Sequence, residues 1–130
     1  MEKLDRMIEK VISPPRVNTK NMLFEHKRHF QDFEFHEFNI ITFDRHTLPV
    51  IFFKNKNANS FVTTAIYSHS YGSSKYEGIG NIPACKKYKL NYCVYDSRGC
   101  GNASPDSKVS FGFNEKIDLL FLLLKLNFDF

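Results

Sequence analysis

Tryptophan is absent from the 130-residue chain, and only six glycines, five prolines and three cysteines occur in it. An odd set of three, Cys85, Cys93 and Cys100, does not make a disulfide framework. Their spacing also lacks the short Cys-x₂₋₄-Cys pairs of structural zinc, so no metal is expected. Reduced thiols suit an intracellular, cytoplasmic setting. No stretch approaches the roughly 18–20 apolar residues of a membrane span, and the opening MEKLDRMIEK has no signal-peptide apolar region. Lysine and arginine number 18 against 14 acids, net +4 with a pI of about 9.0, but no five or six like charges stand together. Scattered charge reads as solvated surface and excludes nucleic acid as a partner. No glycine pair is followed by Lys-Ser/Thr, so there is no phosphate loop, and no cofactor is implied. Gly-x-Ser-x-Gly is missing as well.

What the chain has in quantity is phenylalanine, 14 residues, within 42% apolar and 25% charged content. This is a globular composition, and the length allows one domain. Aromatic burial should dominate its core. Leu4, Met7, Ile8, Val11 and Ile12 recur at helical steps, which predicts an amphipathic helix over 3–12, ended by Pro14 and Pro15. Mixed charge on its polar side favours packing across a sheet over anchoring at a membrane surface. Residues 1–31 are thus an N-terminal helix and linker, and 32–130 the core. Phe33 and Phe35 alternate in one phase and Phe38, Ile40 and Thr42 in the other, which predicts a strand over 33–43 bulged near Glu37. Asp44–Thr47 connects it to a second strand, Leu48–Lys54, as an antiparallel hairpin. Lys54–Ser60 is a polar surface loop.

The central stretch is Phe61–Ala103. Phe61–Ser68 is apolar and β-branched, suited to burial on both faces. It stops at the small-residue turn His69-Ser70-Tyr71-Gly72-Ser73-Ser74. Gly78, Gly80 and Pro83 delay the next helix to about residue 81, leaving Ile82–Leu90 for a short one. Tyr92–Tyr95 is a fourth strand, ending at Asp96-Ser97-Arg98-Gly99-Cys100-Gly101. A right-handed crossover makes these two strands parallel, and ligands of such sheets bind beyond the strands' C-terminal ends. Asp96 is placed to accept turn amides, with Arg98 pairing elsewhere. Gly99 and Gly101 permit positive φ. A last helix runs from about Glu115 to Leu126, apolar enough to be buried on more than one side. Glu115 and Asp118 complement its dipole. Asn127–Phe130 reads as the lead-in to a fifth strand.

The His-containing turn after the third strand and the Asp-x-Arg-Gly-x-Gly turn after the fourth resemble the α/β-hydrolase superfamily. The likeness is to the serine-hydrolase branch of serine-aminopeptidase-like and acyl-protein-thioesterase-like proteins. Pro-Pro-Arg at 14–16 and the Gly112, Glu115, Asp118 pattern also match that branch. The resemblance implies an incomplete α/β-hydrolase fold, with an antiparallel hairpin leading into a parallel sheet with crossover helices. It implies hydrolysis of an ester, thioester or amide acyl substrate in the intact relative. The backbone N–H of Tyr71 would serve as one half of an oxyanion hole, and His69, Ser70, Gly72, Asp96, Arg98, Gly99 and Gly101 would structure the loops. Ser70 replaces the family's usual glycine, and Ala103 its usual serine. In the family's order the nucleophile, acid and histidine follow the fifth strand, so no catalytic triad residue is expected here. The expected reading is an inactive N-terminal part of a serine hydrolase, or a non-catalytic α/β interaction module derived from one. The third strand's apolar edge would stand open, which invites self-association.

Overall fold

The computed structural model describes residues 1–17, 23, 25–59 and 61–130. The elements are α1 (Glu2–Ile12), β1 (Phe33–Ile41), β2 (Thr47–Asn55), β3 (Thr64–Ser68), α2 (Ile82–Lys87), β4 (Asn91–Tyr95) and α3 (Glu115–Asp129). Tight 3₁₀ turns at Lys27–Asp32 and Lys75–Asn81 precede β1 and α2. The strands form one mixed sheet in the order β1-β2-β4-β3. β2 pairs antiparallel with β1 and β4, and β3 lies parallel to β4 at the outer edge. Part of the 13–31 linker, and Ser60 of the 54–60 loop, lie outside the described residues.

β2 and β4 carry apolar side chains in both phases because both faces of the sheet are covered. On one face Phe33, Ile51, Phe53, Tyr92 and Val94 pack with Ile79, Ile82 and Cys85. On the other, Ile40, Leu48, Val50, Phe52 and Cys93 pack under Leu122 and Leu126 of α3. This arrangement explains the change of phase in β1 without a bulge. Its register with β2 is continuous from Phe33↔Asn55 to Ile41↔Thr47. Phe33 belongs to the α2 side, while Phe38 and Ile40 belong to the α3 side. The slip in the pattern marks a strand that feeds two cores in turn.

Four further expectations are corrected. α1 does not pack across the sheet: none of its residues is buried, and Leu4, Met7, Ile8 and Val11 are 48–60% exposed. α3 buries one side only, through Asp118, Leu122 and Leu126, and leaves Leu120, Leu123, Leu124 and Phe128 exposed. The residues expected to lead into a fifth strand continue α3 to Asp129, and Phe130 packs against Phe52 with ring centroids 4.5 Å apart. β3 begins at Thr64, with Phe61 fully exposed, and as an edge strand it is only half-buried from Thr64 to Tyr67, with Ser68 exposed.

Candidate functional site

The parallel pair brings the ends of β3 and β4 level, Ser68 opposite Tyr95. Their side chains join there, Ser68 Oγ to Tyr95 OH at 2.8 Å. The two loops that follow are therefore neighbours, and His69 ties them together. Its Nε2 accepts the Ser97 N–H at 2.9 Å, and its Nδ1 lies 2.8 Å from the Ser70 carbonyl oxygen. These partners assign the proton to Nδ1. With both ring nitrogens engaged inside the loops, His69 is a strut.

The first loop is held from below by Glu77. That carboxylate accepts the Ser70 N–H at 2.7 Å, the Ser70 hydroxyl at 2.5 Å and the Tyr67 hydroxyl at 3.0 Å. Burial pushes the Glu77 carboxyl up, but the donors from Ser70 and Tyr67 outweigh it and hold it down at about 2. Ser73 N–H closes the turn on the Ser70 carbonyl at 3.1 Å, with Gly72 at φ +73°. The Tyr71 ring stacks on Phe111, centroids 5.9 Å apart, and its hydroxyl donates to the Val11 carbonyl at 2.6 Å. Among the described residues no acceptor takes the Tyr71 N–H.

The second loop is built on two buried charges. Asp96 accepts the Lys75 N–H at 2.7 Å, the Lys75 ammonium at 2.8 Å and the Asn102 N–H at 3.0 Å. The chain wraps so closely here that a Cβ on Gly101, at φ +50°, would lie 2.3 Å from Asp96 Oδ1. Gly99, at φ +74°, gives its N–H to Ser107 Oγ at 2.9 Å, and a Cβ there would meet the Val109 nitrogen at 2.7 Å. Arg98 points back under the loop. Its Nε and Nη2 each reach Asp118 at 2.7 Å, and its Nη1 and Nη2 reach Asp44 at 2.9 and 3.0 Å. Asp118, in the first turn of α3, thus also receives a cation from the loop. Arg98 in turn locks β4, the β1–β2 turn and α3 together.

The N-terminal segment completes the rim. The Arg16 guanidinium donates to the carbonyls of Cys100 at 2.9 Å, Ala103 at 3.2 Å and Ser104 at 3.0 Å. Val109 N–H donates to the Ile12 carbonyl at 2.8 Å, and Lys108 pairs with Glu9 at 2.9 Å. Arg16, Lys75, Glu77 and Asp44 were not selected from the sequence as site residues. Each lies 10 or more residues from the partners that define it except Glu77 and Ser70, and no local pattern announces such pairs. In the sequence Arg16 figures only as the last residue of Pro-Pro-Arg, with no role attached to it.

Between the loops lies a pocket of about 190 Å³, lined by His69, Ser70, Tyr71, Ser97 and Cys100 with Phe111 at its mouth. Among the described residues several hollows are larger, and two of them contain no comparable assembly. One of about 540 Å³ lies along β1 and β2, and one of about 600 Å³ lies between β3 and α3. Among the described residues no group of three or more His, Cys, Asp or Glu side chains is placed to hold a metal ion. The three cysteines are free and buried. Burial pushes all three thiols up, Cys93 to about 12. No described helix is long and apolar enough to cross a membrane.

This architecture, a four-stranded mixed sheet whose parallel strands present paired loops, is shared with part of an esterase. The chain is similar to the Pyrococcus furiosus esterase Pf2001 in three crystal forms. In space group P212121 the TM-score is 0.72 at 22% identity, over 93% of this chain and 44% of the esterase. The P21 form gives 0.71 at 22% identity over 90% and 44%, and the C2221 form 0.69 at 22% identity over 93% and 42%. The likeness is one of fold, and the chain spans less than half the length of those esterase chains. No family model matches the chain, and no curated protein matches it.

Proposed function

We propose that the chain is the N-terminal part of a serine hydrolase that cleaves ester, thioester or amide bonds by acyl transfer. In this reading the loop after β3 presents the Tyr71 N–H to the oxyanion of the tetrahedral intermediate. A second N–H comes from the residue after the nucleophile, in the part of the fold this chain does not contain. The observation that carries the proposal is the His69 bridge, which fixes the two loops side by side with no acceptor for the Tyr71 N–H among the described residues. His69, Ser70, Gly72, Asp96, Arg98, Gly99 and Gly101 are loop-structuring residues in this reading, and none transfers a proton.

A second reading, a non-catalytic module derived from a hydrolase, draws on the same network. The loops are held by groups already present, with no nucleophile required. Sequencing the transcript through the Phe130 codon separates the two. The first expects an apolar strand and Gly-x-Ser-x-Gly within the continuing frame, and a stop codon at that point overturns it. A fluorophosphonate should leave the 130-residue chain unlabelled and label one serine of the extended chain. Tyr71→Pro in that extended chain removes the N–H and should lower kcat by about 10²–10³ with KM little changed.

A further inference from the structure

Three described residues other than glycine have positive φ: Arg45, Lys89 and Phe111. Arg45 and Lys89 lie in short turns, between β1 and β2 and between α2 and β4. Phe111, at φ +51°, lies in the longer stretch between β4 and α3. Left-handed backbone is unfavourable for a bulky L-residue, and such strain persists only where the surroundings enforce it. Here the enforcing group is Glu115. Its carboxylate accepts the Ser110 N–H at 2.7 Å, the Gly112 N–H at 2.9 Å and the Ser110 hydroxyl, and so clamps the backbone on both sides of Phe111. What the conformation achieves is a stack. The Phe111 ring lies 19° from the plane of the Tyr71 ring, centroids 5.9 Å apart, while the Tyr71 hydroxyl is held by the Val11 carbonyl.

We propose that Phe111, seated by Glu115, is a positioning residue for the Tyr71 amide. This role rests on the hydrolase reading above, in which that amide faces the oxyanion. The N–H belongs to the Ser70–Tyr71 peptide, whose two ends are held differently. At the carbonyl end the Ser70 oxygen is fixed by His69 Nδ1 at 2.8 Å and by the Ser73 N–H at 3.1 Å. The amide end has no acceptor among the described residues, and Gly72, at φ +73°, follows it with no side chain to lock the turn. Its direction is therefore set through the Tyr71 Cα, and the Tyr71 ring, held between Phe111 and Val11, fixes that Cα. A donor stabilises developing charge only if it is aimed before the charge appears. A misplacement of about 1 Å in a catalytic group lowers the rate by about 100-fold. Phe111 touches no reacting atom in this role, so its loss should be felt in the transition state and not in the binding of substrate.

The test uses the complete protein that the native transcript encodes, with a p-nitrophenyl ester as substrate. A fluorophosphonate first probes the hydrolase reading. If no serine of the wild-type protein is labelled, that reading falls and the role of Phe111 falls with it. In a labelled protein Phe111→Gly addresses Phe111 alone. Glycine takes the left-handed backbone freely, so Tm should stay within about 3 °C of the parent. At the same time kcat should fall at least about fivefold with KM changed less than about twofold. Phe111→Tyr keeps a ring to stack and should retain the parent's kcat. An unchanged kcat in Phe111→Gly, or a rise in KM at constant kcat, overturns the positioning role and leaves the hydrolase reading standing. If Phe111→Gly loses its folded circular dichroism spectrum, Tyr71→Phe decides. That variant keeps the ring, the stack and the N–H and loses only the bond to Val11. Its kcat should fall about threefold at constant KM, and a kcat equal to the parent's overturns the positioning role.

Discussion

Replacing Arg98 with methionine tests the loop architecture most directly. The guanidinium is 3% exposed and makes four charge-assisted bonds, two to Asp118 and two to Asp44. Methionine fills much of the volume but leaves Asp118, 2% exposed, as a buried charge without a cation. Breaking a buried pair from one side costs about 3–5 kcal/mol. Against a domain stability of about 5–15 kcal/mol that is a large share. At about 4 °C per kcal/mol it lowers Tm by roughly 12–20 °C. Asp44 is 31% exposed and can turn to water, so Asp44→Asn should cost only about 1 kcal/mol. The decisive variant is the double exchange Arg98→Met with Asp118→Leu. It removes the orphaned charge and should regain most of the loss, to within about 1–2 kcal/mol of the parent. Urea denaturation of the four proteins at neutral pH measures all of this. A loss below about 1 kcal/mol in Arg98→Met, or a double variant no more stable than that single one, would refute the reasoning.

Other perturbations address the remaining contacts. Arg98 beside it, together with the Thr42 hydroxyl, holds the Asp44 carboxyl well below the usual carboxylate range. A depressed carboxyl stabilises the fold above its unfolded value of 3.8 and loses that contribution as pH falls further, so acid unfolding of Asp44→Asn should be less steep below pH 4. For Glu77 the same sign means that its stabilising contribution fades as pH falls from the unfolded 4.5 to about 2, and the Ser70 amide is released as the folded carboxyl takes up its proton at about 2, which amide shifts followed by NMR would report. Arg16→Ala removes a charged donor from three loop carbonyls and should cost about 1.5–3 kcal/mol, with faster proteolysis at 100–107. Gly101→Ala combines positive φ with a clash on Asp96 and should cost about 2–4 kcal/mol. Gly80→Ala, with open space around it, should stay within about 0.5 kcal/mol. All three thiols should resist maleimide in the folded protein and react fully in urea, as buried thiols held away from the thiolate form do.

Local pattern carried most of the element types. The hairpin, the parallel β3–β4 pair, the short helix from Ile82 and the long helix from Glu115 each follow from period and punctuation read over a few residues. Pattern did not reveal which face of an element meets what. The stripe on α1 is amphipathic whether or not a partner covers it, and in the fold no residue of α1 is buried, so the stripe stays bare. The two phases of β1 look like an insertion in one dimension and are two cores in three. Asn127–Phe130 has strand-like composition, yet α3 continues through it because Phe130 finds Phe52 and Phe38.

The candidate site divides in the same way. Positive φ at Gly99 and Gly101, a turn-accepting Asp96 and an Arg98 paired elsewhere are consequences of residue type in a strand-end turn, which local chemistry dictates. The identity of the partners is not local. Asp118 lies 20 residues from Arg98 and Asp44 lies 54, and the Arg16 contacts span 84 to 91. Sequence alone therefore determined the elements, the single sheet and the position of two loops at the ends of its parallel strands. Packing of distant segments decided that Arg16, Lys75, Asp44 and Asp118 hold those loops. A charge buried during folding must find its counter-charge in space, and that pairing leaves no periodic trace along the chain.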